Sequence, residues 1–169
     1  MENLDMRNGF QRGALATVIF EPTGKIAFKL FKSASHPDHR EQPPDEKIIR
    51  AIFASEHDAY KITSSVDALK QHTATFFGTG RVASVNDAQG HDVTHDYLPD
   101  CCIVMERLQG SDQKLATVKS QFDYLGKFTE ALEEAGVRFT LDANVFSYEN
   151  PELFKFIDFA TSGDAIMSL

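Results

Sequence analysis

The residues that could do chemistry stand out by what surrounds them. Glu56 falls at i+7 from Ile49, on a stripe with Ile52, Phe53 and Tyr60 that follows the spacing of one helix face. A carboxylate on the buried face of an amphipathic helix is costly unless a cation meets it. Asp158 is flanked by Phe156, Ile157 and Phe159, neighbours that favour burial, so it does not read as a solvated aspartate. His91 and His95, with Asp92 and Asp96 nearby, have a spacing that could hold metal on a helix, but the segment has turn character and no convincing third ligand. No zinc site is expected there. Cys101 and Cys102 are adjacent in an apolar run, where consecutive strand side chains point to opposite faces, so free thiols are expected rather than a bridge. Neither a Gly-x-Ser-x-Gly elbow nor a cysteine-based catalytic motif occurs.

The elements that must position these groups follow from periodicity. Residues 15–20 and 25–31 read as strands joined by Glu21-Pro22-Thr23-Gly24, a sequence suited to a tight turn. A polar run with Pro37, Pro43 and Pro44 spans 33–45 and reads as a loop. The Glu56 helix covers 45–63, with Asp45 and Glu46 in its first turn, where the helix dipole favours acids. Residues 73–85 and 101–108 read as strands around a polar excursion with a hairpin turn at 87–90. Leu115, Val118, Phe122, Leu125, Phe128, Leu132 and Ala135 then mark one long helix that Gly136 stops. Two short strands, 144–146 and 153–157, follow with a turn at 148–151. The fold class is α+β: a mainly antiparallel sheet with one embedded helix, then a helix carrying a small hairpin.

Composition bounds the rest. At 169 residues the chain suits a single domain that can bury a real core. With 42% apolar and 25% charged residues it is neither disordered nor fibrous. Seventeen basic against twenty-five acidic residues leave a net charge of −8, which provides no footprint for nucleic acid or an acidic membrane. No segment resembles a signal peptide or a membrane span, so a soluble, cytoplasmic protein is expected, although non-classical secretion would leave no mark.

Five segments, in order, carry a resemblance. Arg12-Gly13-Ala14-Leu15-Ala16-Thr17-Val18 is similar to a glycine-rich phosphate loop in which Gly13 holds the middle glycine's place while Gln11 and Ala16 replace the outer two. Ile26-Ala27-Phe28-Lys29 is similar to the Val-Ala-Ile-Lys strand. Ile103 to Gly110 resembles the strand and hinge beside the adenine, and Ala135 to Phe146 the catalytic loop. Phe156-Ile157-Asp158-Phe159-Ala160 resembles the Asp-Phe-Gly segment. Together, from Gln11 to Thr161, they resemble a protein kinase core, reduced and truncated.

That resemblance implies a single protein-kinase-like domain, with an antiparallel N-lobe sheet and one helix over about 1–108 and a reduced helical C-lobe over about 109–169. It also implies a bound ATP and Mg²⁺. Gly13 would approach the phosphates, Val18 and Ala27 would line the adenine, and Lys29 would reach the α and β phosphates, oriented by Glu56. Met105 would form the back of the adenine pocket, with the Glu106 carbonyl and Leu108 amide bonding the ring. Asn144 and Asp158, flanking the final hairpin, would supply an amide oxygen and a carboxylate to the magnesium.

Two departures bear on activity. Counting back from Asn144, the His-Arg-Asp triplet becomes Val137-Arg138-Phe139, so Phe139 stands where an aspartate would orient the acceptor hydroxyl. Asp142 is the only nearby substitute. Eleven residues follow Asp158 (169 − 158), too few for an activation segment and peptide-holding helices. The expected function is a kinase-like ATP- and magnesium-binding protein, a pseudokinase or a weakly active phosphotransferase, with nucleotide as partner and another protein as a further candidate. Compact chains of this kind occur among bacterial effectors. The alternative is a small acidic protein-interaction or immunity-type module without nucleotide binding.

Overall fold

Fourteen strands and α-helices build the computed structural model, which describes residues 1–118, 123–139, 143–148 and 154–159. The chain divides into two compact units, 1–53 with 76–107 and 54–75 with 108–169.

In chain order the strands are β1 (Glu2–Asp5), β2 (Phe10–Arg12), β3 (Ala16–Phe20) and β4 (Ile26–Lys32), followed by helices α1 (Glu46–Ser65) and α2 (Asp67–Lys70). Strands β5 (Phe76–Gly80), β6 (Val82–Asn86), β7 (Tyr97–Glu106) and β8 (Asp112–Lys114) come next. Helices α3 (Leu115–Val118) and α4 (Asp123–Glu134) precede β9 (Asn144–Ser147) and β10 (Phe154–Ile157).

The first unit is built on a five-stranded antiparallel sheet in the order β2-β3-β4-β7-β5. The β3–β4 turn closes as Pro22 and Gly24 predict: Gly24 donates to the Glu21 carbonyl at 3.0 Å with a φ of 72° that glycine adopts at little cost. One sheet face carries Ile19, Phe28, Leu30 and Cys102 into a core with Leu4, Met6, Val82 and Val85. Those last residues lie on or beside β1 and β6, which pair with each other in parallel. The expected single strand over 73–85 is therefore corrected: it breaks between Gly80 and Arg81 into two strands that belong to different sheets. The 33–45 segment also differs from a solvated loop, since Ser33, His36 and His39 are buried.

Helix α1 starts at Asp45, whose carboxylate accepts from the Lys47 amide at 2.8 Å, and it spans the division between the units. Its buried stripe is Ile49, Ile52, Glu56, Ala59, Tyr60 and Thr63, as the periodicity requires.

The second unit holds the three-stranded antiparallel sheet β10-β9-β8. Of the expected long helix, α3 and α4 are described; Phe122 lies outside the described residues. Gly136, at φ 76°, ends α4 as expected: its amide donates to Glu133 at 2.9 Å and that of Val137 to Leu132 at 2.9 Å. Leu125, Phe128 and Leu132 are buried on α4, and Phe128 meets the rings of Phe154 and Phe156 on β10. Among the described residues no helix is long and apolar enough to cross a membrane.

Candidate functional site

Four of the residues expected to contact a nucleotide, Val18, Ala27, Lys29 and Met105, fall on one face of the five-stranded sheet. Residues directly opposite each other on antiparallel strands share a face. Val18 pairs with Lys29, and Lys29 in turn with Ile103, while Ala27 pairs with Met105. The core residues Phe28 and Leu30 alternate with Ala27 and Lys29, so Val18, Ala27, Lys29 and Met105 occupy the opposite face. Phe31 shares that face, and its ring meets Phe53 of α1 edge-on at 5.5 Å. The Lys29 ammonium lies 5.8 Å from the Phe31 ring centre. Cys101 shares this side too and contacts Arg50 of α1 at 3.3 Å. Both cysteines are free thiols; burial first pushes Cys101 up to about 11 and Cys102 up to about 12, which leaves them unreactive near neutrality.

Gly13 sits at the tip between β2 and β3, where its amide donates to the Ala16 carbonyl at 2.9 Å. A Cβ there would come within 3.2 Å of that same oxygen, so the close approach favours glycine even though φ is not left-handed. Glu106 ends β7 opposite Ile26, and the unit boundary falls between Arg107 and Leu108. Lys29 belongs to the first unit and Glu56 to the second.

The second unit gathers Glu56, Tyr60, Asn144, Asp158 and Phe159. Glu56 and Tyr60, one turn apart on α1, are both fully buried. Burial pushes the Tyr60 hydroxyl well above its ordinary pKa, and the carboxylates of Glu56 and then Asp158 add to the shift. A hydrogen bond from the Asp158 backbone to that hydroxyl works in the opposite direction. Asp158 has a φ of 68°, the one positive value among the described non-glycine residues. Such a conformation is held only where the surroundings fix it. Here the Tyr60 bond fixes the residue itself, and the next one, Phe159, is fully buried with its ring 5.0 Å from Tyr60 and 5.2 Å from Phe156.

Asn144 opens β9 directly opposite Ile157, the last residue of β10, and so lies one position from Asp158 at the end of the hairpin away from its turn. Its Oδ1 is buried without a hydrogen-bond partner, the only such side-chain atom among the described residues. An orphaned buried amide oxygen is chemically able to serve as a ligand to a hard cation. No cluster of three His, Cys, Asp or Glu side chains able to hold a metal occurs among the described residues. Magnesium, however, commonly takes one or two protein oxygens and completes its shell with phosphate and water.

Phe139, where the acceptor-orienting aspartate was sought, packs edge-on against Phe156 at 5.8 Å. The position is part of the aromatic core of this unit and has no acid to offer. Asp142, the suggested substitute, lies outside the described residues.

Sequence reasoning missed a buried polar cluster in the first unit. Lys32, with a side chain 1% exposed, donates to the carbonyls of Gly13 and Ala14 and to Asp38 at 2.7 Å. His36 and His39 are buried beside it. The signal lay in Ser33-Ala34-Ser35-His36-Pro37-Asp38-His39, whose two histidines and aspartate directly follow a lysine at the end of an apolar strand. Compared with family models, curated proteins and solved structures, the chain has no significant match.

Proposed function

We propose that this chain is a kinase-like protein that binds ATP with Mg²⁺ and serves mainly as a nucleotide-binding scaffold, with phosphoryl transfer weak or lost. The observation that carries this reading is the buried, partnerless Asn144 Oδ1 one strand position from Asp158. In this reading the two residues hold the metal, whose contribution when bound is to neutralise phosphate charge. Val18, Ala27 and Met105 form an apolar seat for the base, and Lys29 supplies a cation to the phosphates. Gly13 lets the backbone come close to them. Tyr60 keeps Asp158 in its left-handed conformation.

The scaffold part of the proposal rests on Phe139. Catalysis of phosphoryl transfer depends on positioning, and a phenylalanine ring packed on Phe156 can neither align a hydroxyl nor accept its proton.

Thermal stabilisation by ATP, measured with and without Mg²⁺, tests the binding claim, because a ligand held only by the native state raises stability with its concentration. Asp158→Ala is expected to abolish the magnesium dependence. Unchanged dependence in that variant would remove Asp158 from the site, and no stabilisation of the wild type by ATP would favour the interaction-module alternative. Transfer of labelled phosphate then separates scaffold from enzyme; robust transfer would overturn the scaffold assignment.

A further inference from the structure

The turn that carries Gly13 is held by its carbonyl groups. Lys32 Nζ donates to the Gly13 oxygen and, at 3.3 Å, to the Ala14 oxygen, while the Lys32 backbone amide donates to Leu15 at 2.9 Å. The Ala16 oxygen accepts from the Gly13 amide at 2.9 Å. The ring of His39 adds a second tie, with Nε2 3.1 Å from the Ala14 oxygen and Nδ1 3.0 Å from the Ser33 oxygen. Four consecutive carbonyls, from Gly13 to Ala16, are thus occupied by donors of the protein itself.

Asp38, 2.7 Å from Lys32 Nζ, supplies the counter-charge, and its own amide donates to His36 Nδ1 at 3.0 Å. His36 Nε2 lies 3.4 Å from the Tyr97 hydroxyl, which is 3.1 Å from Thr17 Oγ1 on β3. The cluster therefore joins β3, β4, β7 and the short helical turn at Pro37–His39 into one support beneath the Gly13 turn.

In a trans peptide the C=O and N–H point in opposite directions. Fixing the Gly13 and Ala14 oxygens on the Lys32 side therefore turns the amides of Ala14 and Leu15 away from it. Those two amides donate to no described group. Successive outward N–H groups held in place form a concavity for an anion.

We propose that Lys32 and His39 are positioning residues that clamp the Gly13–Ala14 turn by its carbonyls and so preset the Ala14 and Leu15 amides toward phosphate oxygens. This rests on the nucleotide reading for the identity of the anion, though the clamp itself can be measured without any ligand. Lys32 touches no phosphate in this scheme; it acts through the backbone. A generic buried lysine would be needed only for stability, whereas a clamp affects the turn and the phosphate end of the ligand selectively.

The test uses the full chain and compares wild type with Lys32→Met and His39→Gln. Hydrogen exchange of the Gly13 amide reports opening of the turn, because that amide is bonded to Ala16. Exchange is expected to rise about tenfold in Lys32→Met, as loss of a charged hydrogen bond implies, and by less in His39→Gln. Affinity for ATP is expected to fall about tenfold in Lys32→Met while affinity for adenosine, which lacks phosphates, stays within about twofold. Unchanged Gly13 exchange in the folded variants would overturn the clamp, and equal loss of ATP and adenosine would overturn its link to phosphate. If Lys32→Met does not fold, His39→Gln decides by the same two readouts. Should the wild type bind neither ATP nor adenosine, the nucleotide reading fails, and Gly13 exchange alone decides whether the clamp exists.

Discussion

The two units bury polar groups in opposite ways. In the first, Lys32 is withdrawn from water and given two carbonyl oxygens and the Asp38 carboxylate in return. In the second, the Asn144 oxygen is withdrawn from water and given nothing. The desolvation costs are similar in kind, about 1–3 kcal/mol for a neutral group and more for a charge, but only the first is offset. A buried cation with its full set of acceptors is a structural device, even where it shapes a functional turn. A buried acceptor with none is the feature on which the proposed metal site rests.

Mutations that change one side and not the other sharpen this contrast. The largest effect is expected from Lys32→Met, which strands the Gly13 carbonyl and leaves the Asp38 charge without its cation. It should lower the free energy of unfolding by about 3 kcal/mol, read from urea denaturation. Stability equal to wild type would mean that the cluster is not offsetting a real cost. Tyr60→Phe should cost about 1 kcal/mol, since it removes the hydroxyl bonded to the Asp158 backbone. No change in that variant would detach Tyr60 from the conformation of Asp158.

Asn144→Leu tests the other side. Removing an uncompensated buried oxygen should leave the ligand-free protein as stable or more stable, by about 1 kcal/mol. A clear loss of stability would show that the oxygen has a partner in solution.

The smallest effect is a pH dependence shared by both units. Burial holds His36 below the ordinary value of 6.5, with Lys32 adding to the shift, and burial likewise holds His72 down. The folded state therefore favours neutral rings. Stability from these groups is complete above about pH 6.5 and is lost as pH falls through that value toward their lower folded values. A modest decline in Tm is expected between about pH 6.5 and 5, reduced in His72→Gln. Because His72 stacks on Phe154 at 4.2 Å, its loss also weakens packing, so the slope with pH rather than the absolute Tm is the quantity to compare.

What the sequence revealed depended on whether a local period controlled the outcome. Strand β4 and helix α1 were legible because alternation and the i, i+3, i+7 stripe reflect burial directly, and Glu56 was found inward for that reason. The 73–85 run could not be parsed, because the break at Arg81 is decided by which sheet each half joins rather than by a local pattern. Strand β1 left no signal, since Glu-Asn-Leu-Asp has little strand character and its parallel partner lies about eighty residues away. The Lys32 cluster was hidden because polar loops read as solvated, whereas here the polar groups bury one another. The positions of Asn144 and Asp158 were legible from their strand neighbours; the missing partner of Asn144 is a property of the folded chain alone.

The account turns on whether that oxygen belongs to a ligand site. The decisive measurement is the thermal midpoint of wild type and Asn144→Leu, each with ATP alone and with ATP and Mg²⁺. The wild type should gain a magnesium-dependent increment, about 2.7 kcal/mol if ligand is near a hundredfold excess over its dissociation constant. Asn144→Leu, no less stable than wild type without ligand, should lose most of that increment. An equal magnesium-dependent increment in both proteins, or none in the wild type, would contradict the assignment.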